Sequence, residues 1–233
     1  MIPFARISKY GNEVVIPVNN FDRPMQSSYT NAMVLIGNKL YGYGTNTYGQ
    51  LGIGTREAHT TYTLCHSNTS KYYLGTSGTI LIGTDNHIYW AGRTGAFPQA
   101  GDQLGWYDVT SLLSAVNVTY DNIKDVQIGE SLRILTTDGR FIYTGRNSYA
   151  ECGVPAGIIS TLTVSTLSGI DSIVGMINGT HFILSNGSAY YGGASSNGEG
   201  GSNNSTVQPP ALVTTGVLSL IHISEPTRHA QIS

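Results

Sequence analysis

The chain has 233 residues, 40% of them hydrophobic and only 11% charged, with 29 glycines and a formal net charge of −2. That composition excludes disorder, collagen and long charge-laced helices, and the charge balance removes the basic footprint that a nucleic-acid partner requires. No apolar run reaches the roughly 18 residues of a membrane helix, residues 1–6 lack the apolar stretch of a secretory leader, and two cysteines define no disulfide framework.

In chain order, Glu13–Val18 reads as a first strand, and four hairpins follow. Each is an apolar strand, a two-residue turn, and a second strand closing on glycine. The first runs Met33-Val34-Leu35-Ile36, Gly37-Asn38, Lys39-Leu40-Tyr41-Gly42-Tyr43-Gly44; the second turns at Asp85-Asn86 and closes on Gly92. The third turns at Asp138-Gly139 and closes on Gly145, and the fourth turns at Asn186-Gly187 and closes on Gly193. Asp-Asn, Asp-Gly and Asn-Gly suit type I′ turns, and Gly37-Asn38 suits type II′. A period-2 stretch before each hairpin, such as Ile123–Ile128 or Ile170–Val174, predicts one more half-buried strand per unit.

Successive turns are 48, 53 and 48 residues apart, from 37 to 85, 138 and 186. With Gly52, Gly105, Gly153 and Gly201 aligned as the loop glycines, the extra residues of the second unit fall within Thr94–Asp102. A fixed period near 50 residues, filled with short antiparallel strands, describes a propeller blade; a β-solenoid or a stack of hairpins is the alternative, and solenoid coils are shorter. The expectation is an all-β propeller.

The stretch Gly37–Gly54, with Thr45-Asn46-Thr47-Tyr48-Gly49-Gln50-Leu51-Gly52 at its centre, resembles the regulator of chromosome condensation repeat. Later copies diverge: Ala150-Glu151-Cys152 and Gly198-Glu199-Gly200 replace Gly-Gln-Leu. The resemblance covers about residues 30 to 217. It implies a seven-bladed propeller in a complete protein, of which this chain would hold about four blades as an open arc, in a family of exchange factors, enzyme inhibitors and adhesive modules. Leu218–Arg228 resembles the in-frame translation of a transposase-type sequencing adapter, so 1–217 is taken as a partial propeller and 218–233 as a non-native extension.

No Walker loop, nucleophile elbow, zincin or EF-hand spacing occurs, so a non-enzymatic protein without cofactor or metal is expected. Cys152 shares the slot of Leu51 and reads as a core residue; His87 reads as an exposed hairpin residue. The loop at Thr94–Asp102 supplies candidate binding residues Phe97 and Asp102, with Trp106 and Tyr107 beyond it, because propeller insertions project from one face and aromatic and polar side chains anchor interfaces. Tyr48 and Tyr149 share one loop position, and Arg93 and Arg146 another, completing a candidate rim. The expected partner is a protein or a cell-surface glycan, with no nucleic acid and no membrane insertion. Low charge with Gly, Ser, Thr, Asn and Tyr richness suits an adhesive protein of a phage tail or bacterial surface, on a virion or outside the cell. The alternative is a regulator or inhibitor that presents one face to a protein partner.

Overall fold

The computed structural model describes residues 4–9, 12–17, 25–28, 30–175, 178–200 and 206–216; the 218–233 extension lies outside them. A two-stranded ribbon pairs β1 (Phe4–Lys9) with β2 (Asn12–Pro17), which contains most of the expected first strand. Four antiparallel four-stranded blades follow, each built from consecutive strands. Blade 1 is β3 (Met25–Ser27), β4 (Asn31–Ile36), β5 (Lys39–Gly44) and β6 (His59–His66). Blade 2 is β7 (Thr69–Leu74), β8 (Gly78–Gly83), β9 (Ile88–Gly92) and β10 (Gln103–Asp108), with a short helix α1 (Thr110–Ser114) after it. Blade 3 is β11 (Ile123–Ile128), β12 (Ser131–Thr136), β13 (Phe141–Asn147) and β14 (Gly157–Val164). Blade 4 is β15 (Ile170–Gly175), β16 (Gly179–Leu184), β17 (Ala189–Ala194) and β18 (Thr206–Thr214). The chain forms two compact units, Met1–Thr94 with Ala100–Ser111, and Gly95–Gln99 with Leu112–Ser233.

The strand-closing glycines have a conformational cause. Gly44, Gly92, Gly145 and Gly193 all carry positive φ, between 104° and 139°, a region that a Cβ makes costly. In every blade the next residue donates its N–H back across the sheet: Thr45 to Thr30, Arg93 to Ser77, Arg146 to Glu130 and Ala194 to Asn178. The hairpin turns differ from expectation in three blades. Only the second residue of each pair is left-handed (Asn86, Gly139, Gly187), and Asn86, Gly139 and Gly187 bond back to Gly83, Thr136 and Leu184. These are type I turns closed by a G1 bulge, not type I′. Gly37 alone is left-handed in the first, as a II′ turn requires.

Each exposed edge strand, β6, β10, β14 and β18, breaks its register where it passes the strand-closing glycine. Such bulges bend an edge away from further pairing, and Pro209 and Pro210 sit inside the one in β18. The bulge also relocates the extra residues of the second unit. Gln103-Leu104-Gly105 lies on β10, not in a loop, and the span from Gly92 to Gln103 is shorter than those from Gly44 to His59 or from Gly145 to Ile159. The added length is Val109–Asn122, which carries α1 and is held by Arg140, whose guanidinium donates to the Val116 and Asn117 carbonyls at 3.0 and 2.8 Å.

The cores lie between blades. In the first unit Met33, Leu35, Leu40, Leu51 and Cys65 of blade 1 pack on Tyr72 and Leu81 of blade 2. In the second, Leu135, Phe141, Tyr143 and Cys152 of blade 3 pack on Ile170, Ile173 and Phe182 of blade 4, with Phe141 and Phe182 edge to face at 4.9 Å. No described helix is long and apolar enough to cross a membrane.

Candidate functional site

In blades 1, 3 and 4 the loop after the second hairpin strand is folded by one buried polar residue. Asn46 Oδ1 accepts the Leu51 N–H at 2.9 Å and Nδ2 donates to the Thr55 carbonyl at 2.7 Å. Asn147 does the same with Cys152 N, Val154 O and Pro155 O, and Ser195 Oγ accepts Gly200 N. Gln50, Glu151 and Glu199 each cap the backbone N–H two residues earlier, at Tyr48, Tyr149 and Asn197. With both ends of the loop tied inward, the ring at position 48 or 149 points out.

In the first unit this geometry assembles a patch. The Arg93 guanidinium lies 5.1 Å from the Tyr48 ring centroid, within cation–π range. Arg56 donates to the Thr47 carbonyl at 2.7 Å and pairs with the Asp102 carboxylate, whose second oxygen accepts Thr94 N at 3.3 Å. Tyr48, Arg93 and Asp102, predicted from separate copies, thus meet, and the sequence reading missed Arg56. Half of its side chain is exposed, and its partner lies 46 residues away, so no local spacing reveals it. The patch presents a tyrosine ring stacked by Arg93 beside an Arg56–Asp102 ion pair.

In the second unit Tyr149 is exposed and Arg146 stands 3.6 Å from Glu130, but the blade after Tyr149 has Ala194 at the position of Arg93, so the stacked pair is not repeated there. Three predicted residues lie elsewhere. Phe97 is fully buried in the second unit, where Gly95 accepts the Arg146 N–H and Gln99 the Thr144 hydroxyl proton. The shortened loop is pulled inward, so Phe97 is not a rim residue. Trp106 occupies the bulge of β10, donates to the Cys65 carbonyl at 2.9 Å and presses on Gly52, where any Cβ would overlap its ring. It locks blade 2 to blade 1 and is not available for binding. Tyr107 is exposed but sits on the edge strand, away from the Tyr48 patch.

Among the described residues no group of three or more His, Cys, Asp and Glu could hold a metal ion. Both cysteines are core residues: burial pushes the Cys65 and Cys152 thiols up to about 12, in Cys152 against the pull of Arg133. Neither should react with a thiol reagent at neutral pH, because the thiolate is the nucleophile. The expected result is no fast-reacting thiol in the native chain and two after denaturation.

At the hairpin end of blade 2, His87 Nδ1 lies 2.6 Å from Asp108 Oδ2, and the Tyr89 hydroxyl donates to Asp85 at 2.7 Å. The hydrogen bond to Asp108, and then its charge, raise the His87 pKa. A raised folded value means that this pair supports the fold below the ordinary imidazole range, about 6.5, and ceases to do so as pH rises through the folded midpoint. An NMR titration should place the His87 midpoint above that range, and Asp108→Asn should bring it down.

No family model matches the chain. It is 26% identical over 197 residues to a secretion-regulating guanine nucleotide exchange factor of Bos taurus, an alignment covering 75% of this chain and 41% of that protein. Among solved structures it superposes on Prp20p of Saccharomyces cerevisiae with a TM-score of 0.68 at 14% identity, covering 87% of this chain and 53% of that one. Yeast RCC1 (Prp20) bound to Kap60 gives 0.67 at 14%, with 87% and 51% covered, and human WBSCR16 gives 0.63 at 13%, with 87% and 56%. The chain therefore spans about half the length of these structures and less of the curated relative.

Proposed function

We propose that this chain, whose blades have the RCC1-like propeller fold, is a non-enzymatic binding module that engages a protein partner through the Tyr48, Arg56, Arg93 and Asp102 patch. The observation that carries this reading is the stacking of Arg93 on the half-buried Tyr48 beside the Arg56–Asp102 ion pair, at the loop ends of neighbouring blades. Arginine and tyrosine supply the desolvated contacts that dominate interfaces. Low charge and a Gly, Ser, Thr, Asn and Tyr-rich composition support an adhesive setting on a virion or cell exterior. A second reading, an exchange-factor-like regulator, draws on the printed function of the bovine relative and on the Prp20p structure, whose title describes binding to Gsp1p and histones.

Photo-crosslinking from position 47, beside the patch, tests the proposal. Crosslinks to a defined partner should be lost in Tyr48→Ala with Arg93→Ala and kept in Tyr107→Ala. Capture that is indifferent to the double substitution overturns it. A nucleotide-release assay on a captured GTPase separates the second reading from the first.

A further inference from the structure

The connector from blade 1 to blade 2, residues 67–68, and the connector from blade 3 to blade 4, residues 165–169, are tied by the same three bonds. The first residue of the following blade donates its N–H to the second residue of the leading hairpin turn, Thr69 to Asn38 at 2.8 Å and Ile170 to Gly139 at 3.1 Å. The last connector residue accepts an N–H from the next hairpin turn, Asn68 from Thr84 at 2.8 Å and Gly169 from Ser185 at 3.0 Å. The third bond is a cap. The side chain opposite Phe141 at the edge-strand end, Ser165, accepts the Leu167 N–H on its Oγ at 3.0 Å. In the first unit His66, opposite Leu40, accepts the Asn68 N–H on Nδ1 at 3.4 Å. A serine hydroxyl accepts at every pH, whereas an imidazole nitrogen accepts only while it carries no proton.

His66 is half-buried where blade 1 meets blade 2. The bond from the Asn68 N–H fixes Nδ1 as the bare nitrogen, so the hydroxyl of buried Thr69, 2.9 Å away, donates to it as well. A proton on Nδ1 takes the acceptor from both donors. The imidazole lies 5.8 Å from the Tyr89 ring and 5.8 Å from that of Trp106. Trp106 in turn donates to the carbonyl of Cys65, the residue before His66, and presses on Gly52. The cap and the indole that closes the junction thus share one strand end.

The charges around the ring are few. Asp85, in the turn of blade 2, favours the protonated imidazole and is held by the Tyr89 hydroxyl at 2.7 Å. Asp108 of β10 is paired with His87, on the far side of Tyr89. Lys71 of β7 lies over Tyr73, 5.0 Å from its centroid. Lys39 of β5 is exposed on the face opposite to that of buried Leu40, the residue paired with His66. Burial outweighs Asp85 and lowers the His66 pKa.

We infer that His66 is a proton-operated cap on the connector between blades 1 and 2: acid protonates Nδ1, releases Asn68 and Thr69, and loosens the junction that Trp106 closes, while the serine-capped connector of the second unit is indifferent to pH. The direction is opposite to that of His87. A lowered folded value means that the cap contributes fully above the ordinary imidazole range, about 6.5, and that its contribution is lost as pH falls through that range towards the folded midpoint.

NMR titration of the full chain, combined with hydrogen exchange, tests the inference. His66 should titrate with a midpoint below about 6.5. Corrected for its intrinsic pH dependence, exchange of the Asn68 amide and of the Trp106 indole N–H should quicken by about fivefold through that midpoint, the equivalent of one hydrogen bond. Exchange of the Leu167 amide should not change. His66→Ser, which copies the cap of the second unit, should abolish the transition, and His87→Gln should leave it in place. A His66 midpoint at or above the ordinary range overturns the inference, as does an equal change at Leu167. So does a transition that survives His66→Ser or disappears in His87→Gln. If His66→Ser does not fold, the parent's titration and exchange decide the matter.

Discussion

Gly92→Ala should lower the urea midpoint of the first unit steeply, while Gly105→Ala leaves it in place. Gly92 sits at φ +139° opposite Gly78, and a Cβ there would overlap the Gly78 Cα and the Ser77 carbonyl, both backbone atoms that cannot swing aside. The left-handed backbone costs an L-residue about 1 to 3 kcal/mol, and overpacking of a closed site about the same again. Relief by separating the strands would break the bond from Arg93 N to Ser77 O, which sets the start of the loop carrying Arg93. The Tyr48 to Arg93 contact should therefore loosen together with the fold. Gly105 has ordinary φ and open space around its Cα, so alanine there stays within about 0.5 kcal/mol. Equal urea midpoints for the two variants, followed by circular dichroism, would show that the strand-closing glycines are a habit of the repeat and not a requirement.

The hairpins, their turns and the inner strands were legible because apolar strands at a fixed spacing leave a periodic trace. The edge strands were not. Each carries a bulge that breaks the alternation of period 2; β6 is rich in exposed threonine, and β14 puts Ile158 and Val164 in the open, so no regular pattern marks them. Missing β10 moved Gly105 into a loop and placed the extra residues before that strand, when they follow it as α1 and its flanks. The same error promoted Phe97 and Trp106 to the rim. Their sizes suited binding, but a short loop drawn inward and a bulge pressed on Gly52 are tertiary facts with no local signature. Tyr48 and Arg93 were found because repeat position alone implies which way a loop residue faces. Arg56 was not, because its position has meaning only once Asp102 is beside it.

Arg133→Met with Glu151→Gln should be close to the parent in stability although either change alone is costly. Arg133 is buried on a strand of blade 3 and donates from Nη1 to the Gly179 carbonyl and the Thr180 hydroxyl at 3.1 and 2.6 Å. Burial lowers its pKa, and Cys152 and the Glu151 carboxylate oppose that shift. Glu151, also buried, accepts from Ser131 Oγ and from Tyr149 N. The same two positions in blade 1 hold Met33 and Gln50, where Thr79 Oγ1 lies 4.0 Å from the Met33 sulfur and donates to the Gln50 carbonyl, as Thr180 does to Glu151. One junction is thus built twice, once neutral and once with an arginine and a glutamate buried together. Removing one member leaves the other charge buried without its counterpart, at about 3 to 5 kcal/mol. Removing both returns the site to the neutral chemistry that the chain already uses, and glutamine keeps the cap on Tyr149 that aims its ring outward. A double-mutant cycle by urea unfolding should give a coupling energy of about 2 kcal/mol or more, against the roughly 0.5 kcal/mol within which independent sites add. Additive losses would mean that Arg133 acts through its hydrogen bonds to blade 4 alone and that the charge of Glu151 is incidental to the junction.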